Sequence, residues 1–196
     1  MKIIGLTGNI AAGKTTVSNL LRDLGAAVID ADEIARDIVA VGTVGWQRLR
    51  EEFGEQYFFD NGQLDRKKLG NLVFHDGSAL AKLNSITHPL IRKEIEKRFE
   101  ELRKTHQVKV VVLDAALLIE TGWYKMVDEV WLVIAEDRVR LKRLMERNAL
   151  SEEEALSRMK SQWDQEVKKK YAKRIIDNSG DIEYTKEQVN AYWNAL

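Results

Sequence analysis

The chain has 196 residues, 44% of them hydrophobic and 32% charged, and its 31 basic side chains match 31 acidic ones, for a formal charge of +0. That is enough sequence for one sizeable core with small attached lobes, and the balanced charge gives no bulk attraction to nucleic acid or to a membrane, so any anion has to be met by a local cluster. No cysteine is present, which excludes disulfides, thiolate catalysis and cysteine-bound zinc; with no apolar run suited to a secretory signal or a membrane span, a cytoplasmic location is expected.

Residues 2–7 are apolar almost without interruption, as in a strand covered on both faces. They lead into Gly8-Asn9-Ile10-Ala11-Ala12-Gly13-Lys14-Thr15, which has the spacing G-x-x-x-x-G-K-[ST]. Gly8 and Gly13 let the backbone turn where a Cβ would clash, so successive N–H groups converge and the next helix starts with its positive end at the same point. The stretch reads as a phosphate cradle. Gly8, Asn9, Ile10, Ala11, Ala12, Gly13, Lys14, Thr15 and Thr16 are the candidate nucleotide contacts, with Lys14 reaching the β- and γ-phosphates and the Thr15 hydroxyl reaching Mg²⁺. Val17, Leu20, Leu21 and Leu24 share one side of the following helix, Gly25 stops it, and residues 26–29 form a second parallel strand.

Asp30, Asp32 and Glu33 follow at that strand's carboxyl end, the edge at which open α/β sheets bind ligands. Asp30 and Asp32 share a side if the backbone stays extended; if Asp32 opens a helix through Ala35 and Ile38, it points toward the phosphates while Asp30 caps. In-line phosphoryl transfer needs a group that orients the acceptor hydroxyl and takes its proton, and Asp32 is the catalytic candidate. Arg36, one turn on, either pairs with Asp32 or meets an anionic substrate.

Residues 41–105 have helical periodicity and read as an inserted lobe. Trp46, Leu49 and Phe53 make one apolar stripe, Asn61-Gly62 marks a hairpin or turn, Asp65 caps a helix through Leu69, Leu72, Val73 and Phe74, and Ser78 begins another. Pro89 suits a first helical turn, so a separate helix is expected from Pro89 to about Thr105, with His88 at its amino-terminal junction, able to meet a phosphate or a base or simply to cap.

Residues 108–114 are the strongest buried-strand signal and end in Asp114, which suits Mg²⁺ or the orientation of the active-site network. Glu120 lies in a turn-rich passage that can approach the acceptor, and residues 128–135 make a further strand. Arg140, Arg143 and Arg147 then recur at three- and four-residue intervals on one helical face, where guanidinium groups can stack on a purine and neutralise charge during transfer. Ser151 and Glu154 form a capping box, and Arg158, Gln162 and Lys168-Lys169-Lys170 complete a polar excursion able to close over ATP. Residues 174–177 return to the sheet, Asn178-Ser179-Gly180 turns beside the adenine edge, and residues 182–193 close the chain as a helix.

Taken in order, residues 8–15, Val28-Ile29-Asp30-Ala31-Asp32 with Ala35-Arg36, Leu64-Asp65-Arg66, Ile86-Thr87-His88-Pro89-Leu90-Ile91, Leu117-Leu118 with Glu120-Thr121-Gly122, Arg143-Leu144 with Arg147, Arg158 with Gln162, and Ile176-Asp177-Asn178-Ser179-Gly180 resemble the marks of the dephospho-coenzyme A kinase family. This family lies in the nucleoside-monophosphate-kinase-like branch of phosphate-loop enzymes, and the resemblance covers nearly the whole chain. It implies transfer of the γ-phosphoryl group of ATP to the 3′-hydroxyl of dephospho-CoA, with ATP as donor and Mg²⁺ as cofactor. It implies an α/β, three-layer P-loop NTPase fold: a five-stranded parallel sheet core (1–30, 106–137 and 171–196), a helical dephospho-CoA-binding domain (31–105) and a helical lid (138–170). By the same likeness Asp32 is the catalytic carboxylate, and His88 and Arg92 join Arg36 and Glu120 on the acceptor side. Lys14 and Arg143, with Arg140 added on charge and spacing, are the expected catalytic cations; Arg143, Arg147 and Asn178 are expected to contact the nucleotide, and Thr15 and Asp114 to serve the metal. No nucleic-acid or membrane partner is expected, and the chain is expected to be a monomer or a weak homo-oligomer.

The chain departs from the family pattern at several points. The family loop resembles G-G-I-G-S-G-K-[ST], whereas Asn9, Ala11 and Ala12 stand here; Ala116 replaces a common proline, Ile119 a phenylalanine, Lys173 an acid, and Arg140 a glutamine, so the role of Arg140 rests on charge and spacing alone. Another phosphate-loop kinase would share the ATP side and differ in its helical pocket. A nucleotide-binding switch would ordinarily carry a guanine-reading N-K-x-D segment, which Asn178-Ser179-Gly180 lacks.

Overall fold

The computed structural model describes residues 1–196. Five strands, β1 (Lys2–Gly8), β2 (Ala27–Asp30), β3 (Val110–Asp114), β4 (Glu129–Ile134) and β5 (Arg174–Asp177), form one sheet in the order β2-β3-β1-β4-β5, with every pairing parallel. β3 is buried at all five residues and β1 at all but its first, the pattern of strands covered on both faces. β1 lies at the centre, and the chain fills one side of it before crossing to the other. The crevice at the carboxyl end of such a reversal is where open α/β sheets take ligands.

Nine helices accompany the sheet: α1 (Lys14–Asp23), α2 (Ala31–Asp37), α3 (Val44–Phe53), α4 (Arg66–His75), α5 (Gly77–Thr105), α6 (Asp137–Asn148), α7 (Glu152–Lys160), α8 (Gln165–Lys169) and α9 (Ile182–Trp193). None is long and apolar enough to cross a membrane. The chain divides into two compact units, Met1–Asp30 with Leu102–Leu196, and Ala31–Glu101.

In the first unit α1 and α9 cover one face of the sheet, where Val17, Leu21 and Val189 pack with Ile4, Leu6, Val112, Trp131, Val133 and Ile176. Helices α6–α8, the expected lid, belong to this unit. The expected capping box is present at α7: Glu154 N–H donates to Ser151 Oγ and Ser151 N–H to Glu154 Oε2.

In the second unit Asp65 caps α4 by accepting the Lys68 N–H. The expected hairpin reduces to a single bridge between Phe58 and Leu64, closed by a turn in which Gly62 takes a left-handed conformation (φ 81°). Two helix boundaries differ from expectation. Asp76, not Ser78, starts α5, accepting N–H bonds from Ser78 and Ala79. Pro89 does not start a helix; it lies inside the 29-residue α5, so His88 is mid-helix rather than at a junction. Proline removes the one hydrogen bond to the carbonyl four residues back, and the buried stripe of Ala79, Ile91, Ile95 and Phe99 runs past it on both sides. Burial of Ala79 before the proline and of Ile91, Ile95 and Phe99 after it, with Leu83 and Ile86 half-buried between, outweighs the local break.

Candidate active site

The phosphate loop is built by close approach. A Cβ on Gly8 would stand 2.7 Å from the Val133 carbonyl oxygen of β4, and one on Gly13, whose φ is 95°, would run into the Asn178 amide. Asn178 is buried and braces the loop from both ends of its side chain: Nδ2 donates to the Ala12 carbonyl at 2.8 Å, and Oδ1 accepts from the Thr185 hydroxyl at 2.9 Å. No side chain caps α1 and its first turn holds no acid, so its leading N–H groups and positive dipole end are open to an anion. Thr15 is exposed at that end.

Ala11 takes a left-handed conformation, φ 61°, at one of the positions where the family pattern has glycine. An L-residue there costs about 1–2 kcal/mol, and glycine returns about 0.4–1 kcal/mol of that as unfolded-chain entropy. Ala11→Gly is therefore expected to raise stability by about 0.5 kcal/mol, seen as a melting temperature about 1–2 °C higher; a lower melting temperature would show that the loop is not strained.

The strand ends supply the carboxylates. Asp30 and Asp114 are register partners on β2 and β3, and Lys14 Nζ forms an ion pair with Asp114. Burial raises the Asp114 pKa, opposed by Lys14 and the Ser18 hydroxyl and assisted by Asp30. No group of three or more His, Asp or Glu side chains forms a metal cage. The oxygen donors here, Asp114 and the Thr15 hydroxyl, suit Mg²⁺, which typically takes one or two protein oxygens and completes its octahedron with water and substrate phosphates.

The lid segment meets the loop through three side chains. Gln162 Oε1 accepts the Ile10 N–H at 2.7 Å, Arg140 Nε donates to the Ile10 carbonyl at 3.1 Å, and Asn9 Nδ2 donates to the Trp163 carbonyl at 2.7 Å. Arg140 also pairs with Asp137 at 2.9 Å and is only 4% exposed. Nε and Nη1 of the guanidinium expected at ATP are thus held by loop backbone and its own helix, while Nη2 is buried without a partner. Arg143 lines an open cavity with Arg138, Val139, Lys142 and Glu146 and keeps Nη1 buried without a partner; Arg147 bonds its neighbour Asn148.

Glu120, expected near the acceptor, forms a buried ion pair with Lys168 at 2.7 Å, with no donor aligned on either carboxylate oxygen. Lys168 has no exposed side-chain surface and its Nζ also reaches the Ala116 carbonyl, which the Thr7 hydroxyl shares. Sequence reasoning missed Ser18 and gave Lys168 and Gln162 only a general place in the segment able to close over ATP. Gln162 alone had a signal, its spacing from Arg158.

In the helical unit, Asp32 is exposed in the first turn of α2. The Arg36 carbonyl accepts from Arg66, and Arg92 pairs with Glu96 at 2.9 Å on the exposed face of α5. Burial holds the His88 pKa below its usual value, so the ring is neutral near pH 7. Beside these residues an apolar cavity of about 220 Å³ is lined by Ala35, Val39, Leu49, Leu64, Leu69, Leu83 and Ile91, with Arg66 and Thr87 as its polar members.

Residues 2–184 match the family model described as dephospho-CoA kinase. The dephospho-CoA kinase of Moorella thermoacetica is 46% identical over 196 residues, covering 100% of this chain and 92% of its own length; that of Carboxydothermus hydrogenoformans is 48% identical over 189 residues, covering 96% and 91%. Among solved structures, dephospho-CoA kinase from Campylobacter jejuni superimposes with a TM-score of 0.73 at 30% identity over 99% of this chain and 96% of its own. The Thermus thermophilus protein TT1252 gives 0.83 at 34% identity, covering 100% and 97%. A shikimate kinase from Acinetobacter baumannii shares the fold at 17% identity and a TM-score of 0.56. With family marks matched along almost its full length, the chain belongs to the dephospho-CoA kinase family.

Proposed function

We propose that the protein transfers the γ-phosphoryl group of ATP to the 3′-hydroxyl of dephospho-CoA, giving CoA and ADP. The observation that carries the donor half is the uncapped α1 terminus behind a loop turned by Gly8, Ala11 and Gly13. Residues 8–16 cradle the ATP phosphates, held by the backbone N–H groups there that the lid and the loop itself leave open. Lys14 leaves Asp114 for the β- and γ-phosphates, which frees the carboxylate. Thr15 and Asp114 would hold Mg²⁺, which when bound neutralises charge on the phosphate oxygens. Arg143 and Arg147 face the nucleotide from the lid, residues 138–170.

The unit Ala31–Glu101 serves the acceptor. Asp32 orients the 3′-hydroxyl and accepts its proton as the oxygen attacks phosphorus, the ADP oxygen leaving opposite. Arg36 and Arg92 meet the anionic diphosphate of dephospho-CoA, and neutral His88 contributes a hydrogen bond rather than a charge. Phosphorus NMR of a reaction with ATP, Mg²⁺ and dephospho-CoA is expected to show a new 3′-phosphate monoester appearing in step with ADP. ATP consumed without that monoester, or no turnover by folded protein at saturating substrates, would refute the assignment.

A further inference from the structure

One loop residue, Ile10, has both of its peptide groups taken by the lid segment: its N–H by Gln162 Oε1 and its carbonyl by Arg140 Nε. A backbone N–H can be met only by the oxygen of a carboxamide, so the Gln162 amide has one allowed orientation, with Oε1 on the loop and the Nε2 hydrogens beside it. Those hydrogens donate to no protein atom, and Gln162 is partly exposed. An open donor thus stands beside the phosphate loop, at a cavity that Gln162 lines with Asn9 and Arg140. The neighbouring arginine is not equivalent, because Nε and Nη1 of Arg140 are engaged by Ile10 and Asp137 and its Nη2 is buried.

We propose, resting on the phosphotransferase reading, that Gln162 is a further catalytic residue: anchored through Oε1 to Ile10, it donates from Nε2 to an equatorial oxygen of the phosphoryl group in flight. Charge spreads over those oxygens during transfer, and a donor already oriented by the loop needs no reorganisation when it does. Gln162 neither gains nor loses a proton. Its contact forms on the group that moves, so its effect falls on kcat more than on nucleotide affinity.

Two variants separate this role from simple bracing of the loop. In Gln162→Glu a carboxylate oxygen still accepts the Ile10 N–H but nothing donates; Gln162→Leu loses both bonds and carries no charge. Gln162→Glu is expected to melt with the wild type and to lose about 10²-fold in kcat, the usual loss for one transition-state donor. Both variants are expected to keep ADP affinity while binding ADP with aluminium fluoride, a mimic of the transferring group, about 10²-fold more weakly in the presence of dephospho-CoA. Wild-type affinity for that mimic in both variants, or an equal loss of ADP and mimic affinity in Gln162→Leu, would overturn the proposal and leave Gln162 a strut. A wild-type protein that makes no CoA in the same assay marks failure of the phosphotransferase reading itself and removes this proposal with it.

Discussion

Lys14→Ala is expected to lower kcat by about 10²–10³-fold, the loss of one charged donor at a transferring phosphoryl group, and to raise the KM for ATP. The same variant has a second, ligand-free consequence. Lys14 is the cation on Asp114, whose side chain is 7% exposed, and burial already holds the Asp114 pKa above 3.8. Without the ammonium the folded-state pKa rises further. A carboxyl group whose pKa is higher in the folded than in the unfolded state costs stability only while it is ionised, so the cost is present at neutral pH and disappears as pH falls through the folded-state value. Melting curves are expected to show Lys14→Ala well below wild type at pH 8 and closer to it at pH 5. A constant difference across that range would mean that Lys14 does not neutralise Asp114 in the free protein.

Asp32→Asn is expected to act chiefly on turnover. Asp32 is exposed in the first turn of α2, so the isosteric amide leaves packing intact and lowers the melting temperature by no more than about 3 °C, the worth of one charge at a helix start. The amide still accepts a hydrogen bond but cannot take the hydroxyl proton, and loss of a general base costs about 10²–10⁴-fold in kcat. Steady-state kinetics are expected to show that loss with the KM for ATP changed less than about threefold, as for an interaction made only in the transition state. Turnover near wild type would remove Asp32 from the proton transfer.

The sequence shows the sheet and the loop for a physical reason: residues 2–7 and 110–114 are apolar without alternation, and two glycines five apart before Lys-Thr leave few backbones other than a phosphate cradle. The limits of β5 and α9 follow the expected residues closely, because Asp177-Asn178-Ser179-Gly180 punctuates them. Pro89 misleads, since a local rule about one missing N–H takes no account of the stripe from Ala79 to Phe99 that carries α5 through it. Arg140 is a different case. Charge and spacing put it on the correct face, but the direction of a long guanidinium depends on Ile10, 130 positions away. Lys168 is invisible among Lys169 and Lys170, which share its type; only the fold puts it inside, on Glu120. Gln162 lies in the turn between α7 and α8; its spacing from Arg158 marks it, but an uncharged side chain gives no sign that it reaches Ile10, 152 positions away.

Asn178 sets an order of assembly. The phosphate loop is synthesised long before its supports: the amide that supports its Ala12 carbonyl and packs on Gly13 comes at position 178, and the hydroxyl that holds that amide at 185. β1 also stays without its neighbour β3 until residue 114 and without β4 until residue 134. The loop is therefore made well before the residues that finish it. A nascent or truncated chain that stops before Asn178 carries the whole phosphate-loop motif without the brace that shapes it, and one that stops before Thr185 has the brace but not the hydroxyl that holds it.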